Sequence, residues 1–426
     1  MRSLYTLIIY LFVPFVLVRL YFLGFKNSAY RRRWQERFGF FKWKEEGKPV
    51  LWIHAVSVGE VNAAKPIITK LQEQYSRYQI LVTTVTPTGA YTLEQYFGEE
   101  IKHLYLPYDL PFSVNQFLQQ IKPSVLITME TEIWPNLYQS CHNNKIPILI
   151  VNARLSEKSS KGYRLVSTLM KQTLEKVNVI AAQTDSDAER FISFGAVKDK
   201  VVVAGNLKFD VSIPHSVTEQ AESLKRYFSV NRPVWIAAST QEGEEEIILQ
   251  AHKEVLQKYP EAILILAPRH PDRVNKVASL CDAVNLKFIK RTDQRSFSSE
   301  HSVFILNTLG ELQLHYAASQ IAFVGGSLVN TGGQNMMEPA SLGLPVISGP
   351  YTYNFTEVTR LLKENDALSV VSNADELASE VCLMLSDANH RHNMGEKGRK
   401  VIEESKGNIK RLMEVIEPYL TENETN

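Results

Sequence analysis

The segment between Phe323 and Pro350 constrains the fold more than any other part of the chain. It reads FVGGSLVNTGGQNMMEPASLGLPVISGP, so an apolar run, two glycine pairs, a Glu-Pro pair and a second apolar run follow one another. This order predicts a strand, a Gly-rich turn, a helix start and a parallel strand, the arrangement with which α/β folds build phosphate or nucleotide sites. The glycines would let backbone amides approach an anion, and Glu338 could accept from ribose hydroxyls. A purely structural strand-to-helix loop would show the same glycines, so the segment alone leaves both interpretations open.

Length and composition set the outer limits. A chain of 426 residues is too long for one ordinary core, so we expect two domains of similar size. The 47 Lys and Arg residues balance 46 Asp and Glu residues to a net charge of +1, which gives no sign of a nucleic-acid-binding protein. The three cysteines, Cys141, Cys281 and Cys382, are widely separated and lack metal-ligand spacing. They predict reduced thiols in a cytosolic body without disulfides.

The first 25 residues are the exception to this soluble pattern. Leu4 to Val18 is uncharged and almost wholly apolar, Arg19 interrupts it, and a second apolar patch runs from Leu20 to Phe25. Counted through Arg19, the stretch approaches the ~20 residues of a bilayer span. No small-residue cleavage site follows, which argues against a signal peptide that is removed. We predict a membrane anchor over residues 1–25 that spans the bilayer or lies in it, with a buried helix of a soluble protein as the alternative.

A basic and aromatic band follows the apolar stretch. Such a band suits the anionic headgroups of the cytoplasmic face of a membrane. Its members are Lys26, Arg31, Arg32, Arg33, Trp34 and Arg37.

From residue 50 onward, apolar strands alternate with amphipathic stretches, and the alternation starts again near residue 233. This pattern predicts an α/β protein with two doubly wound, Rossmann-like domains at 26–210 and 218–426, joined by a hinge at 211–217. Sites in such sheets form at the carboxyl ends of the strands, so we expect a cleft between the domains. The predicted strands of the first domain are Val50–His54, Gln79–Thr84, His103–Tyr105, Ser124–Met129, Pro147–Val151 and Val179–Gln183. Those of the second are Pro233–Ala238, Ala262–Ala267, Val303–Leu306, Ile321–Val324 and Pro345–Ile347.

Carboxylates follow two strands of the first domain. Glu60 ends the motif SVGE after the first strand, and Glu130 and Glu132 lie in METE after a later one. A carboxylate at a strand end can reach a substrate as a general base, although a Glu in a first helical turn also interacts favourably with the helix dipole. Because Glu130 and Glu132 alternate, we expect one of them to face the cleft. Lys208, in GNLKFD, could stabilise negative charge there, although most lysines are merely exposed.

Loops after four strands of the second domain offer small, polar or Arg residues at one edge of the sheet. Besides the segment described first, these loops read AASTQEGEEE, APRHPDR and NTLGEL. Arg269 could hold a phosphate, and Gly310 would allow close backbone approach. Their convergence indicates a nucleotide site in this domain.

Together these motifs resemble the 3-deoxy-D-manno-octulosonic acid (Kdo) transferases, membrane-associated enzymes that add Kdo to the lipid A precursor (lipid IVA) in Gram-negative bacteria. The resemblance runs through nearly the whole chain: RWQERFGFF, WIHAVSVGE, TTVTPTGA, METEIWPN, NARLSEKSSKGY, AGNLKFD, ASTQEGEEE, APRHP, LGEL and the GG…EPA…GLPV segment. It implies a GT-B glycosyltransferase fold, CMP-Kdo as donor, the lipid A precursor as acceptor, no metal or cofactor, and transfer with inversion. It also implies an inner-membrane location with the catalytic domains on the cytoplasmic side.

The resemblance also implies roles for individual residues. Glu60 would be the base that deprotonates the acceptor, and Glu130 and Lys208 would stabilise the transition state. The family commonly has His where Gln241 and Gln334 stand, so no His role is expected there, and it has Pro-Leu in place of the Met pair at 336–337. The CMP site would comprise Pro268, Arg269, Leu309, Gly310, Glu311, Asn335, Met336, Met337 and Glu338.

Two other functions fit parts of the pattern. A nucleotide-sugar 2-epimerase shares the two-domain architecture but is typically soluble, which the apolar start and basic band disfavour. An inactive nucleotide-binding scaffold at the membrane would be expected to lose its cleft carboxylates, and Glu60 and Glu130 are both present.

Overall fold

The computed structural model describes residues 1–44, 46–210, 214–228, 232–294 and 297–421. These residues form two compact units, the first ending at Asp210 and joined by the chain from Gly407 onward, the second occupying the stretch between them. Each unit contains a seven-stranded sheet in which every described strand pair is parallel. The prediction of two doubly wound α/β domains is confirmed.

The sheet of the first unit has the strand order β3-β2-β1-β4-β5-β6-β7. Its strands are β1 (Val50–His54), β2 (Gln79–Thr84), β3 (Lys102–Tyr105), β4 (Pro123–Met129), β5 (Ile148–Ala153), β6 (Val179–Ala182) and β7 (Val201–Val203). The helices are α1 (Arg2–Lys26), α2 (Val58–Gln74), α3 (Pro87–Phe97), α4 (Pro111–Ile121), α5 (Pro135–Asn143), α6 (Glu157–Arg164), α7 (Ser167–Leu174) and α8 (Asp185–Ser193). Short 3-10 turns lie at Ser28–Arg31, Trp34–Phe38, Lys198–Lys200 and Leu207–Phe209.

Strand β1 shows why these apolar runs form a central parallel strand. All five of its residues are buried. Leu51 and Ile53 pack into the core on one face of the sheet, and Val50 and Trp52 pack into the core on the other. A strand covered on both faces needs apolar residues at consecutive positions, which is the pattern in the sequence.

The second unit repeats this design with the strand order β10-β11-β9-β8-β12-β13-β14. Its strands are β8 (Val234–Thr240), β9 (Ile263–Pro268), β10 (Phe288–Lys290), β11 (Val303–Ile305), β12 (Ile321–Val324), β13 (Val346–Ser348) and β14 (Leu368–Val370). The helices are α9 (His215–Tyr227), α10 (Glu245–Lys258), α11 (Val274–Ala283), α12 (Leu312–Ala317), α13 (Met337–Ser341), α14 (Thr356–Glu364), α15 (Ala374–Ser386) and α16 (Ala388–Glu404). Further 3-10 turns lie at Pro271–Arg273 and Tyr353–Phe355.

The predicted strands match observed ones to within two residues at each end. Strands β7, β10 and β14 are not among the predicted strands. All three are three residues long, lie at the sheet edges and are partly exposed, so none carries a long apolar run.

The last helices correct the predicted domain boundary. Helices α17 (Asn408–Ile416) and α18 (Pro418–Thr421) belong to the first unit, although we expected residues 218–426 to form the second domain. Leu412, Met413, Ile416 and Leu420 are buried in the first unit's core. Asp210 accepts from the backbone N–H groups of residues 407 and 409 at 2.6 and 2.5 Å, which fixes the start of α17.

The predicted hinge at 211–217 is only partly described. Residues 211–213 lie outside the described residues. Pro214 precedes α9, and the remaining residues of the predicted hinge belong to that helix.

Candidate active site

Three glutamates of the first unit lie where the strand order of the sheet reverses. Strand β1 lies between β2 and β4, so the chain leaves β1 in one direction and later returns on its other side. Glu60 lies in the first turn of α2, directly after β1, and Glu130 and Glu132 directly follow β4. Ligands of open parallel sheets bind at such a reversal, outside the carboxyl ends of the strands.

Glu60 is held by the loop that leads from β1 into α2. Its Oε2 accepts from the backbone N–H of Val56 at 2.8 Å. Burial, together with the charges of Glu132 and Glu130, raises the pKa of Glu60 to about 8, against the lowering effect of the Val56 N–H. A carboxyl group with this pKa is a stronger base than an ordinary glutamate and changes charge near neutral pH.

Glu130 adopts a backbone conformation that is uncommon for a residue with a side chain. Its φ is 53°, in the left-handed region, while its N–H still donates to the carbonyl of Val151 at 3.0 Å. The extended chain therefore ends here, and side chains no longer alternate. Both Glu130 and Glu132 raise the pKa of Glu60, and the expectation that one carboxylate of METE faces the site stays a prediction. Such local strain occurs at functional sites.

Glu132 and His54 are the functional candidates to which we assigned no role. Oε2 of Glu132 accepts from Nε1 of Trp134 at 2.9 Å and lies 3.7 Å from Nε2 of His54, which is fully buried. On its other side, Nδ1 of His54 lies 3.1 Å from the carbonyl oxygen of Thr83. For His54, the sequence offered one signal of a functional role: a polar residue at the end of the otherwise apolar strand β1, in WIHA.

Lys208 lies in the 3-10 turn Leu207–Phe209, which packs against α2. Two asparagines position this turn: Oδ1 of Asn152 accepts from the N–H of Leu207 at 3.2 Å, and Oδ1 of Asn206 accepts from that of Lys208 at 3.1 Å. Asn152 belongs to β5, two strands from β1. The first unit thus holds the turn that carries Lys208 against the helix that carries Glu60.

The glycine-rich loop of the second unit surrounds a carboxylate that belongs to the protein itself. The carboxylate of Glu244, which is fully buried, accepts from the backbone N–H groups of residues 241, 326, 327 and 328 at 2.6 to 2.8 Å. We expected the glycines to bring amides to a bound phosphate, and for these amides that expectation is wrong. Gly325 is needed for this packing, because a Cβ there would lie 2.8 Å from Cα of Thr240 and 2.9 Å from Oε2 of Glu244.

The segment after this loop carries the predicted nucleotide contacts. Nδ2 of Asn335 donates to Oε1 of Glu338 at 3.0 Å, and Oδ1 of Asn335 accepts from the N–H of Met337 at 3.0 Å. Burial raises the pKa of Glu338, and the bond from Asn335 opposes that rise. Met336 and Met337 are buried, so their side chains belong to the interior.

The other residues predicted for the CMP site lie at the same edge of this sheet. Pro268 ends β9, and the N–H of Arg269 donates to the carbonyl of Thr240 at 3.0 Å while its side chain is exposed. Leu309 and Gly310 are exposed after β11. Strands β11, β9, β8 and β12 are consecutive neighbours, so the structure brings these loops together.

Glu311 uses its side chain within the protein. Its carboxylate accepts from Nε and a terminal nitrogen of Arg291 at 3.1 and 2.9 Å. Burial raises the pKa of Glu311, but the bonds from Thr308 and Arg291 outweigh it and leave the pKa below its ordinary value. A contact from this residue to a nucleotide would therefore come from its backbone.

Comparison with known proteins identifies the family. Residues 32–211 match the family model described as 3-Deoxy-D-manno-octulosonic-acid transferase (kdotransferase), and residues 231–401 match that of glycosyl transferases group 1. The chain is 39% identical over 424 residues to the 3-deoxy-D-manno-octulosonic acid transferase of Haemophilus influenzae, with 99% of each chain covered. The chain belongs to the Kdo transferase family. It is also 32% identical to the Bordetella pertussis protein of the same name, with 87% of each chain covered.

Solved structures share the fold of this Kdo transferase family member at much lower identity. The UDP-GlcNAc 2-epimerase of Neisseria meningitidis is 18% identical with a TM-score of 0.57, covering 86% of this chain and 100% of its own. A glycosyltransferase from Rickettsia africae is 15% identical with a TM-score of 0.56, covering 89% of this chain and 100% of its own. At these identities the likeness concerns the fold alone. The family models and the Kdo transferase relatives show that the chain is a glycosyltransferase, and the epimerase alternative has support only at the level of architecture.

Proposed function

We propose that the protein transfers a Kdo residue from CMP-Kdo to a hydroxyl of the lipid A precursor, lipid IVA, at the cytoplasmic face of the inner membrane. The observation that carries the mechanism is Glu60, a partly buried carboxyl group with a pKa of about 8 at the reversal point of the first sheet. The proposal rests equally on 39% identity to a Kdo transferase over nearly the whole chain.

In the proposed reaction the acceptor hydroxyl oxygen forms a bond to the anomeric carbon of Kdo. The bond from that carbon to the phosphate oxygen of CMP breaks, the electron pair leaves with CMP, and the anomeric configuration inverts. Glu60 takes the hydroxyl proton, for which it must first be ionised. Repulsion from Glu132 and Glu130 favours this uptake, because protonating Glu60 removes a negative charge from the cluster.

Two further residues would stabilise the charge that develops. Glu130 would favour positive charge at the anomeric carbon, and Lys208 would favour negative charge on the leaving group. Both lie in the first unit with Glu60, in turns set by the ends of parallel strands.

The second unit would bind CMP. The guanidinium of Arg269 is exposed and would pair with phosphate, which suits its forked donor geometry. Glu338 would accept from ribose hydroxyls, with Asn335 holding its carboxylate. Backbone groups of residues 309–311 and 336–337 would complete the site, since the side chains of Met336 and Met337 are buried.

A lipid acceptor requires contact with a membrane. Within the described residues, the helix over Arg2–Phe25 is long and apolar enough to cross one. The exposed basic residues that follow it would interact with anionic headgroups.

Mass spectrometry of the lipid product tests the proposal. Purified full-length protein would be given tetra-acylated lipid A precursor and freshly generated CMP-Kdo, beside the variants Glu60→Gln and Glu94→Gln. Glu94 is an exposed residue of α3 and serves as the matched control. We expect increments of one or more Kdo masses with the wild type and Glu94→Gln, and none with Glu60→Gln. No increment in the wild type despite bound CMP would overturn the donor or acceptor assignment, and full activity of Glu60→Gln would overturn the base.

A further inference from the structure

The first turns of α1 are bonded to the body of the first unit. The hydroxyl of Tyr5 donates to Oδ2 of Asp109 at 2.9 Å, and that of Thr6 donates to Oδ1 of Asn136 at 3.0 Å. Asp109 is buried and also accepts from the backbone N–H groups of residues 136 and 137 at 3.0 and 2.7 Å. One carboxylate therefore binds both the start of α1 and the start of α5.

The last turns of α1 contact the segment that directly follows the helix. The guanidinium of Arg31 lies 4.7 Å from the ring centre of Tyr21 and 4.1 Å from that of Phe25, and it donates to the carbonyl of Tyr21 at 3.3 Å. Leu17 and Leu20 line a cavity with Trp34, so the segment after the helix folds back along it.

Partial burial follows one stripe along the whole helix. The partly covered residues recur every three or four positions, at helical spacing. They are Tyr5, Ile9, Val13, Val16, Leu20 and Leu23. The strongly exposed apolar residues recur at the same spacing on the other side of the helix, because each residue turns the chain by about 100°. They are Leu4, Leu7, Leu11, Phe15, Phe22 and Phe25.

These contacts are incompatible with a helix that crosses the bilayer. Tyr5 and Tyr21 are about 24 Å apart along a helix that rises ~1.5 Å per residue, and a bilayer core is ~30 Å thick. A spanning helix would carry Tyr5 and Thr6 towards the far side of the membrane, away from Asp109 and Asn136. Both bonds require the two ends of α1 to stay on the side of the folded body.

We infer that α1 lies flat in the surface of a membrane, with its exposed apolar stripe in the lipid and its covered stripe on the body. The occupant of the stripe is a bilayer with anionic headgroups, because Arg2, Arg19 and Arg32 are exposed along the same segment. Long Arg side chains can lie along apolar surface while their charge reaches the headgroups. This inference rests on the membrane association of the proposed function and specifies its geometry.

The flat orientation has a consequence for the acceptor. Asn136 lies in the first turn of α5, four residues after Glu132 in the chain. The same side-chain bond that holds α1 therefore ties the membrane-bound helix to the segment that carries Glu130 and Glu132. This arrangement would keep the acidic loop at headgroup depth, where the sugar hydroxyls of a lipid acceptor lie.

The side of the membrane on which the chain begins decides between the two orientations. A short Gly-Ser extension with one cysteine would be placed ahead of Met1 in the full chain, so that the thiol is in water on either side. The three native cysteines are buried and stay unlabelled. A membrane-impermeant maleimide would be applied to spheroplasts and to inverted inner-membrane vesicles, with Glu94→Cys as the marker for the side of the body. We expect both thiols to react in the same preparation. Reaction of the N-terminal thiol in the opposite preparation would overturn the inference, whether or not the protein transfers Kdo.

A second measurement tests the two bonds. The double variant Tyr5→Phe with Thr6→Val removes both hydroxyl donors and keeps the helix apolar. Loss of hydrogen bonds of ordinary strength predicts a KM for acceptor in anionic vesicles that is about threefold to tenfold higher, with an unchanged KM for acceptor in detergent. Tyr10→Phe, at an exposed position of the same helix, should change neither value. An unchanged KM in vesicles for the double variant would show that these contacts do not orient α1.

Discussion

Oε2 of Glu132 lies 3.7 Å from Nε2 of His54, and the same carboxylate raises the pKa of Glu60. Nδ1 of His54 lies 2.9 Å from the hydroxyl oxygen of Thr83 and 3.1 Å from its carbonyl oxygen, so the ring is held on the side away from Glu132. Glu132 therefore links a buried imidazole to the proposed base.

Replacing Glu132 by Gln should move the pH dependence of transfer. Glu60 acts in its ionised form, so kcat/KM should rise with pH through its pKa of about 8. Glu132→Gln removes a negative charge that raises this pKa, so the pH of half-maximal kcat/KM should fall. Glu94→Gln should leave the profile unchanged. A Glu132→Gln profile with the same midpoint as the wild type would show that the two carboxylates are not coupled.

Replacing Glu60 by Gln should lower the rate of transfer strongly and stabilise the fold at alkaline pH. Loss of a general base typically lowers kcat by about 10²- to 10⁴-fold. The folded-state pKa of Glu60 lies above its ordinary value, so the stability that depends on its protonated form is present at low pH and is lost as pH rises through about 8. Glu60→Gln escapes this loss, so its Tm should exceed that of the wild type at pH 9 and approach it at pH 5. Differential scanning calorimetry at both pH values measures the change, and equal Tm differences at the two pH values would contradict the raised pKa.

The strands and the position of Glu60 could be predicted because both depend on local pattern. A continuous apolar run followed by Ser57, Gly59 and Glu60 is enough to predict a buried parallel strand and a carboxylate at its end. The left-handed conformation of Glu130 could not be predicted in this way. It depends on how the chain after β4 meets Val151 of another strand, which the alternation along a single extended strand does not include.

Two other features depend on partners far apart in the chain. Glu244 bonds to amides more than 80 residues later, and its sequence context shows only an acidic start of a helix. Helix α17 follows the second unit in the chain but packs in the first, because its apolar face completes a core that the first 210 residues leave open. Local pattern predicted the elements, but it did not identify these long-range partners.

The anion inside the glycine-rich loop should be essential for the second unit. Glu244→Ala would leave four backbone N–H groups without their acceptor in a buried site. A buried donor left without its acceptor costs about 1–3 kcal/mol, so the loss for four of them should amount to several kcal/mol. Glu246→Ala, at an exposed position two residues later, should change stability by less than about 0.5 kcal/mol. Urea unfolding would measure both, and similar free energies for the two variants would contradict a structural role for Glu244.

Helix α17 should stabilise the first unit despite its place in the chain. Ile416 is fully buried in the core that contains Ile67 and Val125. Ile416→Ala should therefore lower the free energy of unfolding by about 2–5 kcal/mol. Hydrogen exchange followed by mass spectrometry should show faster exchange in β1 and β4, with the strands of the second unit unaffected. Faster exchange confined to the second unit would contradict the assignment of α17.

Arg269 should contribute to donor binding and little to folding. Its side chain is exposed, and its backbone N–H is already used by the carbonyl of Thr240, so truncation leaves the loop's own hydrogen bond in place. Hydrogen bonds between charged groups are worth about 1.5–3 kcal/mol, so Arg269→Ala should weaken CMP binding by roughly 10- to 150-fold in isothermal titration calorimetry. Its Tm should stay near that of the wild type. His270→Ala changes the adjacent exposed side chain and is the control, for which we expect a smaller loss. Unchanged CMP affinity in Arg269→Ala would remove this residue from the phosphate site, and equal losses in both variants would indicate that the loop, rather than the guanidinium, binds the nucleotide.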